Sequence, residues 1–262
     1  MKAPRSPRRP TTAALLLTLA LCLGAICASL ALATTVHVGA LEVQIEGKIK
    51  PAKLSKTKPT PITLHLEGHI SSTSPNPNEQ IPALRTLNLQ FDKHGSINTK
   101  GLPTCTTQKL ISTTTQKAEA ACHSSLIGKG KAGAEIYFPE QAPFAASGPM
   151  LIFNGPPKGH NPVLIIHVYA DVPAPTTFVT TGEISKAHGK FGTSTSIQIP
   201  TIVGGQGSLT GFEATIGKTW KVKGKKQSLL TADCPTGSLF AHGEFDFLNG
   251  TKISGEIAKT CG

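Results

Sequence analysis

The sequence predicts an all-β, mainly antiparallel protein, folded as a single β-sandwich-like domain with one short helix near residues 114–123. Three observations lead to this prediction. Segments of alternating apolar and polar residues recur along the chain, and Gly and Pro separate them. Charged residues make up 16% of the 262 positions, against an average of about a quarter. This composition excludes coiled coils, long helical bundles and acidic disordered chains.

The N-terminal segment predicts export. The first ten residues carry basic side chains and no acid, and an uncharged run over 13–33 ends in Ala31-Leu32-Ala33, as in a secretory signal peptide. Because about 20 apolar residues also span a bilayer, cleavage and an uncleaved anchor stay open. We therefore predict a signal peptide or signal anchor at 1–33 and an extracellular domain at 34–262. The protein is expected to be secreted or to lie on the extracellular face of the membrane.

The cysteines that follow this segment predict two disulfides. Cys105, Cys122, Cys234 and Cys261 are even in number, and exported proteins oxidise such sets. Of the three possible connectivities, we favour the local pairs Cys105–Cys122 and Cys234–Cys261, because each pair sits in one segment. Zinc is the weaker alternative, since no C-x-x-C pair is present.

Alternation identifies the individual strands. Residues 41–49 and 63–70 place apolar side chains at every second position, which is typical of half-buried strands. Asn249-Gly250 predicts a hairpin between the last two strands. A helix near 114–123 would be capped by Thr114 or Thr115. The remaining predicted strands are 84–91, 96–99, 133–138, 148–153, 163–170, 176–184, 193–199, 207–216, 219–223, 227–232, 243–248 and 251–257.

Two glycine-rich segments resemble nucleotide-binding motifs, and neither meets the requirements. Residues 128–133 spell G-x-G-x-x-G, but a strand-like stretch follows where a dinucleotide site needs a helix. We predict a mobile or hairpin loop there. Gly217-Lys218-Thr219 follows Gly211 by five intervening residues instead of the four of a P-loop. We therefore expect no cofactor.

One candidate metal site lies on a predicted strand. His65, Glu67 and His69 would share a face, with the two histidines about 13 Å apart at their Cα atoms. A third ligand would have to come from another strand, and the sequence nominates none. We therefore predict a solvated strand face and no metal site, with these three residues as the weak candidate.

A lysine-rich stretch with the single Trp is the candidate anion-binding site. On a predicted hairpin, Lys221 and Lys223 would share a face, with Lys225 and Lys226 at the tip. Such a hairpin could contact anionic polymer or lipid headgroups, or its lysines could protect a sheet edge from pairing with another sheet. We favour protection and keep binding as the alternative. The candidate residues are Lys218, Trp220, Lys221, Lys223, Lys225 and Lys226.

No catalytic residue can be singled out. The G-x-S-x-G elbow of acyl-transfer enzymes is absent, and the acids are scattered over positions predicted to be exposed. His167 is the one histidine in a strongly apolar strand, where a core histidine is a better interpretation than a general base.

Several short motifs together carry a resemblance. They are Gly-Leu-Pro-Thr-Cys at 101–105, the runs 122–130, 151–155 and 232–235, and the ending at 247–255. As a set they resemble an uncharacterised family of exported, β-rich proteins from soil actinobacteria. The resemblance implies export and a β-rich fold, and it implies no activity, ligand or catalytic residue.

The function predicted from these features is an exported or cell-surface, non-enzymatic binding or structural protein of the envelope. Its expected partners are anionic envelope polymers or lipid headgroups, not nucleic acid, and it contacts the membrane through 13–33 only if that segment is not cleaved. One alternative is a secreted hydrolase of polysaccharide or ester substrates. The other is a membrane-tethered accessory protein.

Overall fold

The computed structural model describes residues 33–76 and 78–261. The predicted export segment lies outside the described residues except for Ala33. The described part contains one α-helix, α1 (Thr115–Cys122), three short 3-10 turns and seventeen strands. The strands are β1 (Thr34–Val38), β2 (Leu41–Lys50), β3 (Thr60–Pro61), β4 (Thr63–Ser72), β5 (Leu84–Asp92), β6 (Gly95–Ile97), β7 (Leu126–Ile136), β8 (Phe144–Lys158), β9 (Asn161–Ala170), β10 (Thr176–Lys186), β11 (Phe191–Gln198), β12 (Gly207–Ile216), β13 (Thr219–Val222), β14 (Lys225–Ser228), β15 (Leu230–Ala232), β16 (Ser238–Phe247) and β17 (Lys252–Thr260).

Twelve of the strands form one antiparallel sheet that nearly closes on itself. Its order is β1-β2-β4-β12-β7-β8-β9-β10-β11-β5-β16-β17. The two edge strands, β1 and β17, are in contact: the Thr34 hydroxyl donates a hydrogen bond of 2.8 Å to the Glu256 carbonyl. The predicted all-β, mainly antiparallel class is confirmed. In place of two separate sheets, one sheet bends round until its inner face encloses the core.

Because neighbouring strands run antiparallel, their connections gather at two ends of the sheet. We call the end where β2 finishes and β4 begins the cap end, and the opposite end the far end. The small sheet β3-β15-β6 and the hairpin β13–β14 lie at the cap end. Backbone bonds from Ile62 to Leu230 and from Asn98 to Leu229 hold these pieces together, and the Leu229 side chain is fully buried beneath them.

The predicted helix and both predicted disulfide pairs are confirmed. The Thr114 side chain accepts a hydrogen bond from the Lys117 amide and so caps α1. Cys105 and Cys122 are bonded with their Cα atoms 5.6 Å apart, and Cys234 and Cys261 with theirs 6.0 Å apart. The two bonds indicate an oxidising, extracytoplasmic environment. Within the described part of the chain, no helix has both the length and the apolar character needed to cross a bilayer.

Candidate functional site

The interior of the near-closed sheet contains an apolar cavity of about 310 Å³. Every strand of the large sheet except β1 contributes to its wall. The wall is built mostly from aliphatic and Phe side chains on the inner face of the sheet. Prominent members are Leu64, Leu66, Leu87, Leu89, Met150, Ile152, Leu164, Ile166, Val168, Phe178, Ile184, Ile197, Leu209 and Phe212.

The interior is left partly empty because two neighbouring strands, β7 and β8, present small residues to it. β7 contributes Ala132 and Ala134 to the wall, and β8 contributes Ala146 and Gly148. Side chains just fill a closed sheet of about eight strands, and the enclosed width grows with strand number. Twelve strands with small residues on two of them therefore leave space that the protein does not fill.

The burial of the wall residues is consistent with this unfilled space. Large side chains of the inner face, such as Leu89, Ile166 and Phe212, are only half-buried, although they point away from the outer surface. Protein interiors are normally close-packed. Half-buried inner side chains therefore mark the part of the core that a guest molecule could fill.

The G-x-G-x-x-G segment belongs to this wall, and the predicted loop at 128–133 is wrong. The segment lies inside β7, which begins at Leu126 and pairs with β8 and β12. A Cβ on Gly130 would overlap the Glu213 carbonyl of β12. Gly128 and Gly130 therefore permit close approach of β12, and alternation in the segment was the signal that could have identified the strand.

Three charged residues contribute atoms to the cavity wall, and two of them are already paired. Lys48 forms an ion pair of 2.7 Å with Glu46. The buried Asp92 carboxylate accepts hydrogen bonds from the His94 and Phe240 amides. Lys259 is half-buried, and no ion pair or hydrogen bond of its amine occurs among the described residues.

The cavity wall reaches the surface at the far end. Val172 belongs to the wall and is 50% exposed. It is joined there by Pro173, Pro200, Ile202 and Val203, from the two connections that flank β10 and β11. An apolar molecule would therefore enter between these two connections.

The candidate anion-binding lysines stand on a hairpin, as predicted, but its turn is different. β13 and β14 pair Lys221 with Lys226 and Val222 with Lys225. The tip is Lys223-Gly224, where both residues have positive φ, so the predicted tip at Lys225 and Lys226 is wrong. All four lysines are exposed.

The other two candidates of this stretch have structural contacts. The Lys218 amine donates to the carbonyls of Ser124 and Leu126 at 2.7 and 2.8 Å, and burial lowers the pKa of Lys218. Trp220 packs against the core beneath the cap end and donates to the Lys100 carbonyl. The exposed cationic surface of the hairpin therefore consists of the four lysines 221, 223, 225 and 226.

The weak metal candidates lie together on the outer face of β4. Glu67 Oε1 is 2.8 Å from His69 Nε2, and Glu67 Oε2 is 3.8 Å from His65 Nε2. The hydrogen bond to His69 lowers the pKa of Glu67. Among the described residues, no group of three His, Cys, Asp or Glu side chains is arranged to hold a metal ion. The carboxylate between the two imidazoles forms a hydrogen-bonded surface cluster.

His167 is a core residue, as predicted. It is fully buried, and its Nε2 donates to the Thr113 carbonyl at 3.0 Å. Burial lowers its pKa. The residue lies on the outer face of β9, beneath the segment that leads into α1, and so on the side of the sheet opposite the cavity.

Comparisons with protein-family models, curated proteins and solved structures gave no match to this chain. The resemblance to exported actinobacterial proteins stays a prediction.

Proposed function

We propose that the protein is an exported, non-enzymatic binding protein that encloses an apolar small molecule inside its sheet. The observation that carries the proposal is the cavity of about 310 Å³, walled by aliphatic and Phe side chains. Ligand sites typically occupy about 300–1,000 Å³ and are mostly apolar. An apolar cavity of about 150 Å³ is already enough to stay dry and bind benzene.

Energetics support a bound molecule. Unfilled cavities destabilise a fold by about 24 cal/mol per Å³, so an empty interior of this size is costly. A hydrocarbon guest restores the missing contacts and gains about 0.8 kcal/mol for each buried methylene. The ligand class that this wall favours is therefore a hydrocarbon chain or ring system.

A pair of adjacent alanines provides the test. Ala146 belongs to the cavity wall, whereas its neighbour Ala145 is exposed on the outer face. We expect the neutral fluorescent probe N-phenyl-1-naphthylamine to bind saturably, Ala146→Leu to weaken binding at least tenfold by filling the cavity, and Ala145→Leu to leave it unchanged. Circular dichroism checks that both variants fold. Equal probe binding by the two variants would contradict the proposal.

The charge distribution supports a second role for the cap end, contact with an anionic surface. Its connections carry exposed lysines that take part in no ion pair within the described part of the chain. The connections of the far end contain no Lys or Arg but include Glu79, Glu140 and Asp171. The exposed cap-end lysines are Lys53, Lys56, Lys58, Lys93, Lys100, Lys221, Lys223, Lys225 and Lys226.

This asymmetry favours docking with the cap end toward negative charge, since each Lys near an anionic membrane contributes about 1 kcal/mol. The compact unit 31–262 contains all twelve strands of the large sheet, both disulfides and the core, so it can be used alone. We expect it to co-sediment with phosphatidylglycerol vesicles at low salt and to be released at high salt.

Matched variants test the orientation. Replacing Lys221, Lys223, Lys225 and Lys226 by Gln should abolish sedimentation. The control, in which four exposed lysines outside the hairpin are replaced by Gln, should retain it. The control positions are Lys109, Lys117, Lys131 and Lys252. Equal loss in both variants would indicate a net-charge effect and refute a site at the hairpin. Competition by soluble polyphosphate would show that phosphate groups, and not the bilayer, are recognised. The hydrolase and tethered-protein alternatives stay predictions.

A further inference from the structure

We infer that the ligand of the cavity is an anionic amphiphile whose head group pairs with Lys259. This inference rests on the proposed function and narrows the ligand class. The starting observation is the register of β17, in which Ile253, Gly255 and Ile257 are buried on the inner face. Alternation places Lys259 on that same face.

The neighbours of Lys259 locate it at the cap end of the cavity. It pairs with Leu239 of β16, and both residues belong to the cavity wall together with Ile49 and Ile257. On the inner face of the strands, an aliphatic residue at this position would continue the wall. The chain instead places a long cationic side chain there.

The amine of Lys259 has no protein partner among the described residues, unlike the two other charged residues of the wall. Lys48 is held by Glu46, and the Asp92 carboxylate is held by two backbone amides. A half-buried cation gains most from an opposite charge that also forms a hydrogen bond. A carboxylate, sulfate or phosphate head group at the end of a hydrocarbon chain supplies both.

The wall also explains the orientation of such a molecule. Val172 and its neighbours open the far end and are apolar, and Asp171 precedes them. A negatively charged head group is therefore disfavoured at the far end and favoured at Lys259. The hydrocarbon tail then lies along the strands, against Ile166 and Phe212, and ends toward the opening.

The experiment compares two probes that differ only in the head group, dodecanoate and 1-dodecanol, by calorimetry at pH 8 on the unit 31–262. Lys259→Met should weaken dodecanoate binding about tenfold or more, because the carboxylate loses a charged hydrogen-bond partner. It should leave dodecanol binding unchanged or tighter. Lys259→Arg should retain dodecanoate binding. Lys131→Met, an exposed lysine on the outer face of β7, is the control.

The outcomes separate this inference from the proposed function. If the protein binds dodecanol and Lys259→Met does not change dodecanoate affinity, the head-group site is refuted and the apolar cavity stands. The same holds if dodecanoate fails to bind while dodecanol binds. If neither probe binds, both proposals fail. Equal weakening in Lys259→Met and Lys131→Met would indicate a general charge effect and would also refute the inference.

Discussion

At the scale of single residues, neighbouring positions of one strand have opposite roles. In β9, Ile166 and Val168 face the cavity, while Ile165 and His167 are buried on the other face, against the segment around α1. This strand is therefore covered on both sides, which explains its nearly continuous apolar sequence. Its buried histidine, His167, donates through Nε2 to the Thr113 carbonyl, while the buried Nδ1 has no hydrogen-bond partner among the described residues.

The burial of His167 predicts an acid sensitivity. Its pKa in the folded protein lies below the usual value because burial disfavours the imidazolium. As pH falls below about 6.5, the unfolded chain binds a proton that the folded protein does not, and stability is lost. Denaturant unfolding at pH 7.5 and 5.5 should show a smaller loss in His167→Gln than in the wild type. An identical loss of stability in both proteins would show that His167 does not cause the acid sensitivity.

The side-chain partners of single residues were the part least accessible from sequence. Alternation identified which residues share a face, and it assigned His167 to the core. It could not show that the Lys218 amine meets carbonyls of Ser124 and Leu126, because these lie more than 90 positions away. Such a contact depends on the connection after β12 returning to the start of β7.

At the scale of elements, hairpins and the helix were predictable, since their signals are local. The Asn249-Gly250 hairpin and the Thr114 cap needed only a few neighbouring residues. β7 was predicted too short, because glycines at Gly128, Gly130 and Gly133 resembled a loop. In the structure a Cβ on Gly128 or Gly130 would crowd a carbonyl of β12, so these two glycines allow the strands to approach, which is a tertiary requirement.

The disulfide next to α1 leads to a prediction about local stability. Cys105 and Cys122 are separated by 17 positions, and a cross-link over such a loop contributes about 3 kcal/mol in the chain-entropy model. The double variant Cys105→Ser/Cys122→Ser should lower the free energy of unfolding by about this amount. It should also raise the pKa of His167 toward its usual value, because the segment around α1 that covers β9 loosens. NMR titration of His167 measures this change.

The second disulfide is the matched control. Cys234 and Cys261 pack in a different core cluster, with Ile49 and Leu54. Replacing them by Ser should lower stability to a similar extent and leave the titration of His167 unchanged. If neither double variant changes the pKa of His167, the Cys105–Cys122 disulfide does not hold the segment around α1 in place over β9.

At the scale of the whole molecule, closure of the sheet was not predictable from patterns along the chain. It requires β12 to insert between β4 and β7, and β5 to lie between β11 and β16. These pairings join segments far apart in sequence. The cavity results from that closure and from the small residues on β7 and β8, so no local motif could predict it.

The whole-molecule arrangement has two different ends. The cap end is closed by the small sheet β3-β15-β6 and carries exposed lysines, whereas the far end has an apolar opening with acidic residues in its connections. A protein docked by its cap end would present the opening away from the anionic surface. The two proposed roles are therefore compatible in one molecule.

An isotope-filtered NOE measurement on the unit 31–262 with bound 1-dodecanol shows directly whether an apolar molecule lies inside the sheet. We expect NOEs from the ligand chain to methyl groups of the inner wall, above all Ile166, Ile184 and Leu209. NOEs confined to exposed apolar residues such as Val38 and Leu248, or no NOEs to the protein, would contradict it.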